Sequence, residues 1–178
     1  MVKPLDGEMS ITQNLFNTVT KLWPAKMYPG MWILEIGSGV GTAHWVKAGY
    51  RVATIEHDEK WLNSCAGANY LHAPLENAYY REEVVREHLK NNYDMWIIDG
   101  PPGIISDRTK IIQLMDELED SDFPKVVIVD DCQPQRKPAD GLAIAEYIFI
   151  RFRGCPMFEV QNTKYGGSPH SARVLLPN

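Results

Sequence analysis

The sequence predicts an α/β protein built on a parallel sheet with helices on both faces. Short apolar runs alternate with helical stretches along the chain, as they do in doubly wound sheets. The run Val126–Val129 contains no polar residue, which is typical of a strand buried on both faces. The chain has 178 residues, of which 44% are hydrophobic. A chain of this length is expected to form one domain, here residues 1–178.

The apolar runs and helical repeats give the expected order of elements. Strands are predicted at Met31–Ile36, Arg51–Ile55, Asn69–His72, Met95–Ile98, Val126–Val129, Met157–Val160 and Ala172–Leu176. Helices are predicted over the repeat from Ile11 to Leu22 and at Gly41–Ala48, Glu59–Cys65, Glu82–Leu89, Asp107–Glu119 and Gly141–Phe152. Ser10 and Gln13 fit a capping box at the first helix. Because parallel sheets bind ligands at the carboxyl ends of their strands, functional residues are expected just after each strand.

Charge and cysteine content exclude several classes of protein. The net charge of −5 argues against a nucleic-acid partner, since such proteins are typically basic. No apolar run approaches the ~20 residues of a membrane span, and the first residues lack an apolar signal core, so a cytoplasmic protein is expected. Cys65, Cys132 and Cys155 are odd in number and have no CxxC spacing, which favours reduced thiols over disulfides or a zinc site.

A glycine-rich turn follows the first predicted strand. Gly37, Gly39 and Gly41 lie between this strand and a helix, where glycine lets a ligand approach the backbone. A dinucleotide fingerprint would place its third glycine at the position of Thr42, so a nicotinamide site is disfavoured. Glu35, at the end of the strand, suits a ligand that carries an ammonium group. The alternative is a glycine turn without a ligand.

The second strand also ends in an acid. Glu56 lies 19 residues beyond Gly37, close to the ~20 expected for a carboxylate that accepts hydrogen bonds from ribose hydroxyls. The alternative is an exposed acid at a strand end. Asp58, two residues later, is predicted to cap a helix.

These motifs resemble the class I S-adenosyl-L-methionine (SAM)-dependent methyltransferases. The resemblance implies a Rossmann-like, doubly wound and mostly parallel seven-stranded sheet with an antiparallel last strand. It also implies that the N-terminal helical segment, residues 1–30, contributes to the pocket. Adenine would lie beside Ala73-Pro74-Leu75, which lacks the acid that many members carry there. The SAM contacts implied by the resemblance are Glu35, Gly37, Ser38, Gly39, Gly41, Thr42, Glu56, His57, Pro74, Leu75 and Asp99.

Three acids follow the two central strands of the second half. Asp99 ends one strand, and Asp130 and Asp131 end the next. Converging carboxylates repel each other unless a positive charge lies among them, and a divalent cation with oxygen ligands would supply it. The pattern resembles metal-dependent O-methyltransferases of the catechol and macrolide-sugar type. That resemblance implies Asp99, Asp130 and Asp131 as ligands of magnesium, manganese or calcium, with Asp99 and Asp130 catalytic.

The motif that follows the strand Met95–Ile98 departs from both methyltransferase patterns that it could match. Asp99-Gly100-Pro101-Pro102 lacks the Asp-Pro-Pro-aromatic order of nucleic-acid aminomethylases, and Pro102 stands where the catechol type has its lysine base. The candidates for the base are Asp99, His170 and Arg108, with Arg108 better suited to clamp an anion. The expected reaction is O-methylation of a small molecule. A metal-free enzyme acting on nitrogen or a carboxylate, and a SAM-binding protein without turnover, remain alternatives.

Several segments are candidates for shaping the pocket. The Gly103–Arg108 loop, the N-terminal segment and the pair Tyr79–Tyr80 are expected to select the acceptor, although Tyr79 and Tyr80 would also suit packing on the sheet. Lys164–Gly167 predicts either a flap or a plain hairpin turn. Gln13 could reach the cofactor from the first helix. Assembly as a homodimer is left open.

Overall fold

The protein folds around one seven-stranded sheet and one short hairpin. The structure is a computed structural model that describes residues 13–22, 28, 30–133, 140–163 and 169–177. The strands are β1 Trp32–Ile36, β2 Arg51–Glu56, β3 Ala68–His72, β4 Leu75–Glu76, β5 Tyr79–Tyr80, β6 Met95–Ile98, β7 Val126–Val129, β8 Met157–Thr163 and β9 Pro169–Leu175. The large sheet has the order β3-β2-β1-β6-β7-β9-β8. In it β9 runs antiparallel to both neighbours and the other pairs are parallel.

Helices cover both faces of this sheet. They are α1 Gln13–Leu22, α2 Val40–Lys47, α3 Glu82–Leu89, α4 Lys110–Asp116 and α5 Asp140–Arg151. Successive residues of β1 point to opposite faces: Ile33 packs in a cluster with residues of α1 and α2, and Leu34 in one with residues of α3, α4 and α5. The doubly wound sheet predicted from the sequence is thereby confirmed, including its antiparallel last strand.

The central strands match the sequence prediction residue for residue. All side chains of β6 and β7 are buried, because each strand lies between two others and beneath helices on both faces. Burial of each large aliphatic side chain contributes roughly 1.5–3 kcal/mol, so these two strands anchor the fold. Their parallel register pairs Ile98 with Val129, which sets the residues after them side by side.

The helix predicted at Glu59–Cys65 is wrong. These residues form hydrogen-bonded turns, and Asp58 caps the first of them by accepting a bond from the Lys60 N–H at 3.0 Å. Asn63 adopts a φ of +60°, a left-handed conformation that cannot continue an α-helix. The fourth helix is also shorter than predicted, because Asp107 forms a turn with the Thr109 N–H at 3.0 Å before α4 begins.

The hairpin β4–β5 was not predicted. Asn77 and Ala78 join the two strands with φ values of +52° and +64°. The hairpin buries Tyr79 and Tyr80 completely, so these side chains pack in the core. Its backbone also holds the Gly103–Arg108 loop, since the Asp107 N–H donates to the Ala78 carbonyl at 2.7 Å.

Some predictions fall on parts that the structure does not describe. Ser10 and the segment 164–167 lie outside the described residues, as do the side chains of Gln13 and His170. The cysteines Cys65, Cys132 and Cys155 are free thiols. Within the described ranges, no helix combines the length and apolar character needed to cross a bilayer.

Candidate functional site

The glycine turn lies where β1 meets β6. Gly37 has a φ of +97°, a conformation that favours glycine, and a Cβ on it would lie 2.8 Å from the Gly100 Cα. A Cβ on Gly100 would in turn collide with the Tyr80 hydroxyl. Gly37 and Gly100 are therefore needed for the close approach of two strand ends, in addition to any role in binding a ligand.

Glu35 lies beneath this turn. Its side chain is 2% exposed, and its Oε2 accepts a hydrogen bond from the Thr42 hydroxyl at 2.5 Å. The Gly39 N–H donates to the same hydroxyl oxygen at 3.2 Å, which links the turn to the carboxyl group. Burial raises the pKa of Glu35 from 4.5 to about 7, although the Thr42 bond opposes that rise. Glu35 is thus a buried acid whose charge changes near neutral pH.

Glu56 ties the turn to the end of β2. Its Oε2 accepts bonds from the Ser38 N–H at 3.0 Å and the Ser38 hydroxyl at 2.7 Å. Its Oε1 accepts bonds from the N–H groups of His57 and Asp58, both at 2.7 Å. A carboxylate has about four acceptor positions, so this one is filled by the protein itself. A ribose diol bound here would take the place of the Ser38 hydroxyl.

The third turn lies beside Glu56. The Ala73 N–H donates to the Glu56 carbonyl at 2.9 Å, and the half-buried Pro74 and Leu75 follow at the start of the hairpin. The exposed His72 has its Nε2 3.4 Å from the His57 carbonyl. The structure therefore brings the predicted adenine segment next to the predicted ribose acid.

The acids of the second half follow adjacent strands. The Asp99 N–H donates to the Ile36 carbonyl and the Asp130 N–H to the Ile98 carbonyl, both at 3.0 Å. Asp99 is half-buried, whereas Asp130 and Asp131 are buried. These three residues, Asp99, Asp130 and Asp131, are called the acid cluster below.

A guanidinium group lies among these acids. Arg108 is 5% exposed, and its Nη1 is 3.1 Å from Asp131 Oδ2. Its Nε donates to the Pro101 carbonyl at 2.5 Å, two residues beyond Asp99. Burial acts to lower the pKa of Arg108, but the charges of Asp99, Asp131 and Asp130 outweigh it and the pKa is raised. Arg108 is therefore a fixed positive charge inside the acid cluster.

Comparison with known proteins identifies the fold. A scan against protein-family models finds no match, and neither does a search of curated proteins. Solved structures do match. The O-methyltransferase TomG from Streptomyces achromogenes, in complex with SAM, has a TM-score of 0.59 at 16% identity, over 94% of this chain and 82% of that one. An O-methyltransferase from Bacillus cereus, in complex with S-adenosylhomocysteine (SAH), has a TM-score of 0.62 at 14% identity, over 96% of this chain and 84% of that one.

A third similar structure has a different acceptor in its name. The magnesium protoporphyrin IX methyltransferase from Synechocystis PCC 6803, with bound SAM, has a TM-score of 0.58 at 16% identity, over 92% of this chain and 78% of that one. The fold is that of class I methyltransferases. In this methyltransferase fold the glycine turn, Glu56 and the acid cluster all lie along one edge of the sheet.

The acid cluster differs from the predicted metal site. Within the part of the chain that the structure describes, no three His, Cys, Asp or Glu side chains are arranged to hold a metal ion. One of these acids already has a cation beside it, because Nη1 of Arg108 lies 3.1 Å from Asp131 Oδ2. Arg108, a candidate anion clamp, contacts an anion of the protein itself, the carboxylate of Asp131.

Two further features of this methyltransferase fold escaped the sequence analysis. Asp140, at the start of α5, is buried and accepts a bond from the Arg108 N–H at 3.4 Å. Gly141 packs so closely on Asp130 that a Cβ there would collide with the Asp130 carbonyl. The close packing of an Asp-Gly pair on a strand end is a tertiary feature, which a single sequence does not show.

The loop after Gly103 presents apolar side chains to solvent. Ile104 is 90% exposed and Ile105 is 58% exposed. The loop is nevertheless ordered by its own bonds, because the Ile105 N–H and the Ser106 hydroxyl both donate to the Pro102 carbonyl, at 3.1 and 2.7 Å. The Ile104-Ile105 pair stands out in the sequence as two apolar residues within a polar loop, so this exposed apolar surface could have been predicted.

Proposed function

We propose that this protein is a SAM-dependent methyltransferase that acts on a hydroxyl group of a small molecule. One observation carries the proposal: a methyltransferase fold places a glycine turn, a buried acid beneath it and a second acid at the next strand along a single edge. The similarity to O-methyltransferases from Streptomyces achromogenes and Bacillus cereus supports oxygen as the acceptor atom.

The residues at this edge fit SAM. Gly37, Ser38 and Gly39 are half-buried and would contact the methionine portion, with the buried Gly41 behind them, and Glu35 with Thr42 lies below the turn to balance the ammonium group. Glu56 and His57 would hold the ribose, and Pro74 and Leu75 would contact the adenine. When bound, SAM supplies a methyl group activated by the positive charge on sulfur.

Asp99 is the proposed base. It is half-buried at the end of β6, next to the glycine turn, whereas Asp130 and Asp131 are buried. A carboxylate in this position can accept the proton of the acceptor hydroxyl. Ile104 and Ile105 would contact an apolar part of the acceptor, because they flank the same strand end and face solvent.

A divalent metal does not fit the acid cluster. The guanidinium of Arg108 is 3.1 Å from Asp131 Oδ2 and its charge acts on all three acids. Arginine has only donors and cannot be a metal ligand. The proposed setting is the cytoplasm, consistent with three free thiols, and the proposed partner is a small molecule in view of the net charge of −5.

The experiment is calorimetry with SAH. Wild-type protein should bind SAH, and Gly39→Val should abolish binding while the circular dichroism spectrum is unchanged. Gly39 has extended backbone, φ −177°, which valine also adopts, so we expect the branched side chain to act on the ligand and not on the backbone conformation. Ala48→Val adds a branched side chain at the opposite end of α2 and should bind SAH as the wild type does.

Two results would overturn this proposal. The first is unchanged SAH affinity in a folded Gly39→Val protein. The second concerns turnover: a screen of small hydroxylated compounds with methyl-labelled SAM should yield a labelled product. SAH binding without any labelled product across such a screen would favour the non-catalytic SAM-binding alternative.

A further inference from the structure

We propose that Arg108 is the resident cation of the acid cluster and that methyl transfer by this protein requires no divalent metal. The requirement for methyl transfer rests on the proposed function. The position of the guanidinium does not, because it follows from contacts within the protein.

The acid cluster needs a positive charge. Asp99 and Asp130 follow β6 and β7, which are hydrogen-bonded neighbours in parallel register. Asp131 comes next along the chain and is 6% exposed, so water screens it little. Carboxylates in such positions raise each other's free energy unless a cation lies close to them.

Arg108 reaches both strand ends. On the β6 side its Nε donates to the Pro101 carbonyl, and on the β7 side its Nη1 contacts Asp131 Oδ2 at 3.1 Å. Its own backbone N–H donates to Asp140 at the start of α5. Two separate segments therefore hold the side chain and a third holds its backbone, which keeps the guanidinium in place without a ligand.

The charge of this group is permanent. A guanidinium stays protonated at every pH that proteins tolerate, and its planar fork suits carboxylates. Arg108 is 5% exposed, so its attraction to the acids is screened weakly. The carboxylates surrounding it also hold its pKa above the ordinary value despite burial.

A divalent ion held by Asp131 would compete with this guanidinium for the same carboxylate. Magnesium or calcium would need carboxylate oxygens at ~2.0–2.6 Å, and Oδ2 of Asp131 is already engaged by Nη1. An ion entering beside a buried guanidinium would also meet electrostatic repulsion in a poorly screened site. The sequence pattern of a metal site is thus present, while the place of the cation is taken.

Methyl transfer can be balanced without a metal. The acceptor hydroxyl loses its proton to Asp99 while its oxygen gains the methyl group, and the sulfur keeps the electron pair of the broken bond. The acceptor oxygen ends neutral, so no lasting negative charge needs a metal to stabilise it.

Titration with Mn²⁺, followed by electron paramagnetic resonance, tests the inference. The wild-type chain should show no saturable Mn²⁺ binding. Arg108→Ala removes the guanidinium and frees Oδ2 of Asp131 from its 3.1 Å contact with Nη1, so it should gain a saturable site. Arg81→Ala is the matched control, since Arg81 is an exposed arginine 2.7 Å from Glu76 and its loss should create no site.

Each outcome decides the matter. Saturable Mn²⁺ binding to wild type that disappears in Asp131→Asn would overturn the inference. A folded Arg108→Ala protein that still binds no Mn²⁺ would contradict the claim that the guanidinium stands in the place of a metal. If Arg108→Ala does not fold, the wild-type titration decides alone. In the labelled-SAM screen, a chelator should leave the rate unchanged, and a loss restored by magnesium would also overturn the inference.

This test is independent of the proposed function. Failure of SAH binding would remove the methyltransferase proposal and leave the Mn²⁺ result standing as a statement about the acid cluster. Mn²⁺ binding to the wild type would remove the role of Arg108 and leave SAH binding intact, because the glycine turn and Glu56 lie on other strands.

Discussion

At the end of β2, Glu56 accepts four hydrogen bonds, and three of their donors are backbone N–H groups. At the end of β7, Asp131 contacts the side chain of Arg108 instead. Both acids are buried at the same edge of one sheet. The first is stabilised by the turns that its own motif forms, and the second by a residue from another loop.

This difference explains which half of the site could be predicted. Three of the four donors to Glu56 are backbone N–H groups of the glycine turn and of the turn after β2, and the spacing from Gly37 to Glu56 marks both turns in the sequence. The partner of Asp131 is a side chain of the loop after β6, and no spacing rule connects Arg108 to it. The charge argument predicted a cation beside these acids and proposed a metal, and a single sequence does not show that the loop carrying Arg108 folds back onto Asp131.

The largest expected effect on ligand binding comes from removing Glu56. Glu56→Ala should weaken SAH binding by ~2–4 kcal/mol, since hydrogen bonds to a charged group contribute ~1.5–3 kcal/mol each and are not fully additive. Calorimetry measures the loss. Glu59→Ala, three residues later and exposed, should change the affinity by almost nothing.

Asp131→Asn tests whether the two acids act separately. If Asp131→Asn weakened SAH binding as much as Glu56→Ala, the two halves would not be separate in function. Because Glu56→Ala also leaves the N–H groups of His57 and Asp58 without their acceptor, its unfolding should be followed in parallel. Glu56→Gln keeps one acceptor oxygen and should fold where alanine does not.

The next effect concerns the contact between Gly37, which follows β1, and Gly100, which follows β6. Gly37→Ala should lower the free energy of unfolding by roughly 2–4 kcal/mol, because a positive φ and a Cβ 2.8 Å from Gly100 act together. Gly49 has a φ of +91° with nothing within 4 Å of a Cβ, so Gly49→Ala measures the backbone term alone, roughly 1 kcal/mol. Urea denaturation of both variants gives the difference. Equal losses would show that the approach of β1 to β6 is not tight.

The fold was predictable in proportion to how strongly burial dictates each element. β6 and β7, buried along their whole length, agree with the prediction at both ends. Met157–Val160 was predicted too short, because the far end of β8 is stabilised by pairing with β9 more than by apolar residues. The hairpin β4–β5 has two-residue strands that no periodicity reveals, and Ala78 at a φ of +64° replaces the glycine that would have marked its turn.

The smallest expected effect is on stability. It concerns Glu35, beneath the glycine turn, and depends on pH. Burial raises the pKa of Glu35 to about 7 in the folded protein, against 4.5 ordinarily. Its protonated form therefore favours folding, and this stability is complete below pH ~4.5 and is lost as the pH rises through about 7. Glu35→Gln imitates the protonated form, so its stability relative to wild type should increase by roughly 1–3 kcal/mol from pH 5 to pH 8. Urea denaturation at both pH values measures this difference.

Ligand binding should show the opposite dependence on pH. An ammonium group near Glu35 favours the ionised carboxylate, so wild-type affinity for SAH should rise between pH 5 and about 7 while the stability of the wild type relative to Glu35→Gln falls. Glu35→Gln should bind SAH more weakly than wild type at pH 8 and should lose most of this rise. Glu59→Gln, an exposed acid in a turn, should follow the wild type in both measurements. If both quantities, the affinity and the stability relative to Glu35→Gln, moved in the same direction with pH, Glu35 would not be the group that contacts the ammonium. Its role beneath the glycine turn would then be structural alone.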